Sequence, residues 1–176
     1  MEQNSNKNLI QYAMEYGSYL GLMLIFKFVL ASFSATSSIS NILASILIIV
    51  VPVMAFYFMR MFRDRSKTYT YGKLCLFGIY MYFFSALLSG IFEYVYYQYL
   101  NPDYLYAQQE ALKVLVEELA KVDTSQTMSE FQSSYANVAP TTAIQFVFQG
   151  IWGLFMLGSI YSLILALILR KRVVEI

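Results

Sequence analysis

Histidine is absent from this 176-residue sequence, and there is one cysteine, Cys75. Without an imidazole, His-based zinc sites, Ser-His triads and imidazole proton shuttles are excluded. A lone cysteine cannot close an internal disulfide, and its place in an apolar run predicts a small buried side chain. Charge is scarce too. Charged residues make up 13% of the chain, against roughly 25% in a soluble domain, so the chain lacks the polar surface that water demands. A net charge of +1 gives no bulk attraction for nucleic acid, which is not an expected partner. The sequence holds no phosphate loop, nucleophile elbow, metal-ligand run or nucleotide fingerprint. No cofactor or metal is expected, and the chain does not read as an enzyme.

What the chain has instead is apolar length. Hydrophobic residues reach 59%, mean hydropathy is +0.54, and the excess is gathered into runs. At ~1.5 Å per residue, roughly 20 residues cross the hydrocarbon core of a bilayer. The runs predict four spans at about 12–34, 42–59, 74–100 and 141–169 within a single domain. Glu15 and Lys27 interrupt the first run, so it reads as a retained span rather than a signal peptide. Ser34 to Asn41 reads as a turn of small residues, and Pro52 should kink the second span.

After the third run, Asn101-Pro102-Asp103 has the order of a helix start: a cap, a proline at the first position, and an acid at the positive end of the dipole. Leu105, Leu112, Leu115, Val116, Leu119 and Val122 then recur at helical spacing among charged residues, which predicts an amphipathic helix. A capping-box pattern at Thr127 starts a second one, with Met128, Phe131, Tyr135 and Val138 on its apolar face; Pro140 marks the entry to the fourth span. The expected fold is all-α: an integral membrane four-helix bundle with an extracytoplasmic amphipathic helical hairpin within 101–140.

Basic residues set the orientation. Arg60, Arg63, Arg65, Lys67 and Lys73 fall in the connection 60–73, and Arg170, Lys171 and Arg172 follow the last span. Both places are expected in the cytoplasm, with both termini. The first group is also the candidate surface for anionic lipid or a cytoplasmic partner. The segment from Asn101 to Pro140 holds Asp103, Glu110, Glu117, Glu118, Asp123 and Glu130 against Lys113 and Lys121, which suits the opposite side. The tyrosines at 94, 96, 97, 99, 104 and 106 read either as an aromatic belt or as a platform for sugars or lipid headgroups.

Ionisable groups inside a span cost at least a few kcal/mol near mid-bilayer. Counting residues from the cytoplasmic ends brings Lys27 and Glu93 to similar depth in the outer half, and Gln145 and Gln149 enter from the outer end of span four to the same level. One reading is a polar cluster in which Lys27 pairs with Glu93 while the glutamines bond around them. The other is snorkelling, each charge reaching the interface alone. Glu15, near the cytoplasmic face, suits a structural ion pair. Small-residue faces at Gly17 and Gly21, at Ser85, Ser89 and Gly90, and at Gly150, Gly153 and Gly158 let helix backbones approach closely.

Three motifs carry a resemblance: Y-G-S-Y-L-G-L in span one, Y-T-Y-G-K-L-C-L-F-G opening span three, and Y-L-N-P-D-Y after it. With four spans and a helical outer segment, the chain resembles the domain-of-unknown-function family 4199. The resemblance covers nearly the whole chain and implies a small four-span inner-membrane protein of Gram-negative bacteria, with no assigned activity or site. It also implies an association with membrane glycosyltransferases that handle lipid-linked sugars. The expected function is therefore that of a non-enzymatic accessory or interaction subunit of the cell envelope. Its expected partners are membrane lipids and either a membrane protein or further copies of itself. A small oligomeric transporter or channel using the polar cluster is the alternative, and accessory service to such a glycosyltransferase is another.

Overall fold

The computed structural model describes residues 8–33, 38–65, 70–122 and 142–169. Lys67, Pro140, Arg170 to Arg172 and the helix expected from Thr127 lie outside the described residues, as does the first half of the turn expected after span one; its second half, from Ser38, is already helical. Among the described residues the only regular structure is helical: α1 (Leu9–Ser32), α2 (Ser38–Arg65), α3 (Tyr71–Val95), a π-helical turn (Tyr96–Leu100), α4 (Pro102–Val122) and α5 (Ala143–Leu169). Four stretches are long and apolar enough to cross a membrane: Leu9–Ser32, Ile42–Arg65, Tyr71–Leu100 and Ala143–Leu169. Helix starts are closed by short side chains reaching back. Gln11 Oε1 accepts from the Asn8 N–H at 3.0 Å, and Gln145 Oε1 from the Thr142 N–H at 3.1 Å. Each satisfies a donor that the first turn would otherwise leave open. α2 passes through Pro52 as one helix, and the Tyr161 hydroxyl donates to the Pro52 carbonyl at 3.1 Å.

Packing divides the chain into two units. The first takes in α1, α2, α3 as far as Glu93, and α5 from Phe148. α3 is its central helix: 56% of its most apolar window is buried, against 33% for α1, 28% for α2 and 22% for α5. The contact of α1 with α3 rests on glycine. A Cβ at Gly17 would stand 2.8 Å from the Met81 carbonyl oxygen, and one at Gly21 would stand 3.3 Å from Ser85 Cα. Gly78 meets Ser162, and Gly158 meets the Tyr82 ring, in the same intimate way on α5. These are the small-residue contacts by which membrane helices associate without a hydrophobic drive. Gly153 differs, since a Cβ there would meet nothing within 4 Å.

Toward the Leu9 end of α1 the first unit is solid. Phe62 and Phe77 stack at 4.0 Å with rings 2° from parallel, Tyr16 meets Phe77 edge-on at 5.9 Å, and Tyr12 meets Phe62 at 5.8 Å. Leu20, Met59, Leu74 and Met81 are fully buried beside them. Cys75 is a buried free thiol in the same core. The outer faces of α2 and α5 are apolar and uncovered, with Ile49 and Leu157 near 70% exposed. Such a surface suits lipid and would be an aggregation hazard in water.

The second unit, Tyr94–Val147, is built on tyrosine. Tyr97 is buried; it stacks on Tyr104 at 6.1 Å and meets Phe146 edge-on at 5.6 Å. The Asn101 N–H donates to the Tyr96 carbonyl at 2.9 Å, the five-residue step of a π turn. The Asn101 side chain then accepts from the Tyr104 N–H at 3.2 Å and so caps α4. Along α4, Leu105 and Val116 are buried while Leu112, Leu115 and Leu119 are exposed.

Candidate functional site

Lys27 comes from α1 and Glu93 from α3, and the glycine contacts fix their register. A Cβ on Gly17 would meet Met81 and Phe84, and one on Gly21 would meet Ser85 and Leu88, offsets of 64 (81 − 17 and 85 − 21) and 67 residues (84 − 17 and 88 − 21). Lys27 is thus level with the turn 91–94, which contains Glu93. Both line one cavity of about 250 Å³ between α1, α3 and α5. Small residues open it: Ala31, Ser89, Gly90 and Gly150 stand where larger side chains would fill the space. A Cβ on Gly150 would lie 3.9 Å from Glu93 Oε2, so that carboxylate rests beside the bare backbone of α5.

The two charges interact electrostatically without joining. They form no ion pair, and neither makes a hydrogen bond with a described residue. The hydroxyl of Ser89 is spent on its own helix, donating to the Ala86 carbonyl at 3.3 Å. The chamber therefore offers one ammonium and one carboxylate, both half-buried and, among the described residues, held by no ion pair or hydrogen bond. Such an arrangement can receive complementary charge.

A second cavity of about 320 Å³ shares Leu24, Lys27 and Leu154 with the first and runs toward mid-helix. Its walls are mainly apolar, from Ile48, Val51, Leu157 and Gly158, with Tyr82 and Tyr161 at the side. Lys27 thus stands between a polar compartment and an apolar recess. The hydroxyl of Tyr161 is engaged with Pro52, whereas that of Tyr82 makes no hydrogen bond with a described residue.

The glutamines are not among the residues that line either cavity. Gln145 serves the start of α5, and Gln149 is exposed. Of the basic group, Arg60, Arg65 and Lys73 are exposed. Arg63 is turned inward: Nη2 meets Asp64 Oδ1 at 2.7 Å, and Nη1 donates to the Leu169 carbonyl at 3.4 Å. A cation there satisfies one of the open carbonyls at the negative end of α5. Among the described residues no cluster of three His, Cys, Asp or Glu could hold a metal ion. The sequence reading missed Tyr82 and the recess below Lys27; the signal available was Gly158-x-x-x-Ser162, whose first member meets Tyr82 and whose second meets Gly78.

Residues 15–171 match the model of a family described as "Protein of unknown function (DUF4199)". That is 157 of 176 residues (171 − 15 + 1). No curated protein and no solved structure matches.

Proposed function

The chain belongs to the DUF4199 family, and we propose that it is a non-enzymatic accessory subunit of the bacterial inner membrane. In this reading its chamber receives a complementary polar group from another membrane component, and both termini are cytoplasmic. One observation carries it. Lys27 and Glu93 share a cavity yet leave each other unpaired. Charges kept in a span purely for structure are normally matched within the protein, because an unmatched one costs several kcal/mol. Two that face a common opening suit a third participant.

The packing argues against conduction through a single copy. Toward the Leu9 end, the first unit is filled by Leu20, Met59, Phe77 and Met81, all fully buried, and an ion path through a single copy would have to cross them. Affinity purification of the full chain in mild detergent tests the proposal. A stoichiometric partner is expected, and its recovery should fall by about tenfold for Lys27→Met and for Glu93→Gln, the effect of losing one charge-assisted contact. Repeated recovery of the protein alone, or a partner indifferent to both substitutions, would sink it.

A further inference from the structure

Resting on the reading that the chamber is a binding site, we infer that its occupant is a phospholipid with a zwitterionic amine headgroup. The phosphate lies against Lys27, the headgroup ammonium against Glu93, and one acyl chain enters the recess. Three observations converge on this chemistry. The first is order along the bundle axis. Glu93 lines the first cavity alone, Lys27 lines both, and the recess lined by Ile48, Val51, Leu154 and Leu157 continues from Lys27 toward mid-helix. Carboxylate, ammonium, apolar slot is the complement of amine, phosphate, chain, the sequence in which such a lipid stands in a leaflet.

The second is depth. Lys27 lies five residues inside the Ser32 end of α1, or ~8 Å. The 24-residue helix measures ~36 Å, somewhat more than the ~30 Å hydrocarbon layer and less than the ~40 Å that includes headgroups. Centred on that layer, the helix projects ~3 Å at its Ser32 end and the Lys27 backbone lies ~5 Å inside the hydrocarbon. From that depth the long side chain carries its ammonium up to the level where headgroup phosphates meet acyl chains. The third is charge selection. A phosphoglycerol headgroup would satisfy Lys27 but bring a second anion beside Glu93, a repulsion that the low dielectric strengthens. A soluble zwitterion would satisfy both charges and leave the recess empty.

The test uses the full chain extracted from vesicles holding equal parts of phosphatidylethanolamine, phosphatidylcholine and phosphatidylglycerol. After detergent washing, retained lipid per chain is measured by mass spectrometry. About one phosphatidylethanolamine per chain is expected to remain. Glu93→Gln should lower its preference over phosphatidylglycerol by about tenfold, and Lys27→Met should lower total retention by a similar factor. Leu157→Trp, at a position 70% exposed, narrows the recess without touching the core and should also reduce retention. Thermal unfolding checks that each variant is folded. Equal retention of phosphatidylglycerol by the native protein overturns the inference. So does retention unchanged in all three variants, which marks annular lipid only, or displacement of the lipid by millimolar glycerophosphoethanolamine, which means that the chain is not held. A partner protein lost with Lys27→Met, with no lipid retained, would overturn this inference and leave the accessory reading standing. Retained lipid with no partner would do the reverse.

Discussion

Adding one methyl group at Gly17 would place a Cβ 2.8 Å from the Met81 carbonyl oxygen and 2.9 Å from Phe84 Cβ. Neither atom can give way without moving α3, so Gly17→Ala should destabilise the bundle by about 1–3 kcal/mol, the usual cost of overpacking. Gly153→Ala is its control. Nothing lies within 4 Å of the added atom, and removing a glycine from a helix interior gains about 0.5–1 kcal/mol. Thermal unfolding in detergent should lower the midpoint for the first and hold or raise it for the second; equal losses would mean that the α1–α3 contact is not glycine-limited. The sequence reading found the face of Gly17 and Gly21 from their four-residue spacing, but grouped Gly153 with Gly150 and Gly158 although only Gly158 is tightly packed. Spacing identifies which residues share a helix face. It does not say whether another helix covers that face.

At the scale of elements, polar punctuation was legible and aromatic runs were not. Asn101-Pro102-Asp103 announced α4, and the Asn101 side chain does accept from the Tyr104 N–H. Asn101→Ala should cost about 1 kcal/mol, up to ~2, as loss of an N-cap usually does. Amide hydrogen exchange over residues 102–106 is the suitable measurement. A faster rate confined to that turn is expected, and unchanged protection would show that the tyrosine packing alone holds the helix start. The π turn at Tyr96–Leu100 left no mark in Y-Y-Q-Y-L, which contains neither glycine nor proline and keeps helical composition throughout. Gln145 offers a different lesson. Thr142-x-x-Gln145 fits a helix-start pattern, and the structure uses it so; counting depth gives the level of a residue and not the bond its side chain makes.

For the whole molecule, the spans were readable because a bilayer demands about 20 apolar residues in sequence, and one-dimensional composition records that demand. The chamber was not readable, because it depends on which side chains come together across helices: Glu93 beside Gly150, and Lys27 lining the same cavities as Leu154. The first unit is solid at its aromatic end, where Phe62 stacks on Phe77, and open at the end where Lys27 and Glu93 share a cavity. Its solid end carries the exposed Arg60, Arg65 and Lys73. If basic residues stay in the cytoplasm, the chamber opens into the outer leaflet, and any lipid it holds comes from there. Single cysteines decide this in intact cells treated with a membrane-impermeant maleimide. Gly72→Cys, with nothing within 4 Å of its Cβ, should label only after permeabilisation, whereas Glu117→Cys, on the exposed face of α4, should label at once. Cys75 is buried and should stay silent until the protein is denatured, so it serves as an internal control for folding. Labels in the opposite order would turn the chamber toward the inner leaflet and require its occupant to be drawn from the cytoplasmic side.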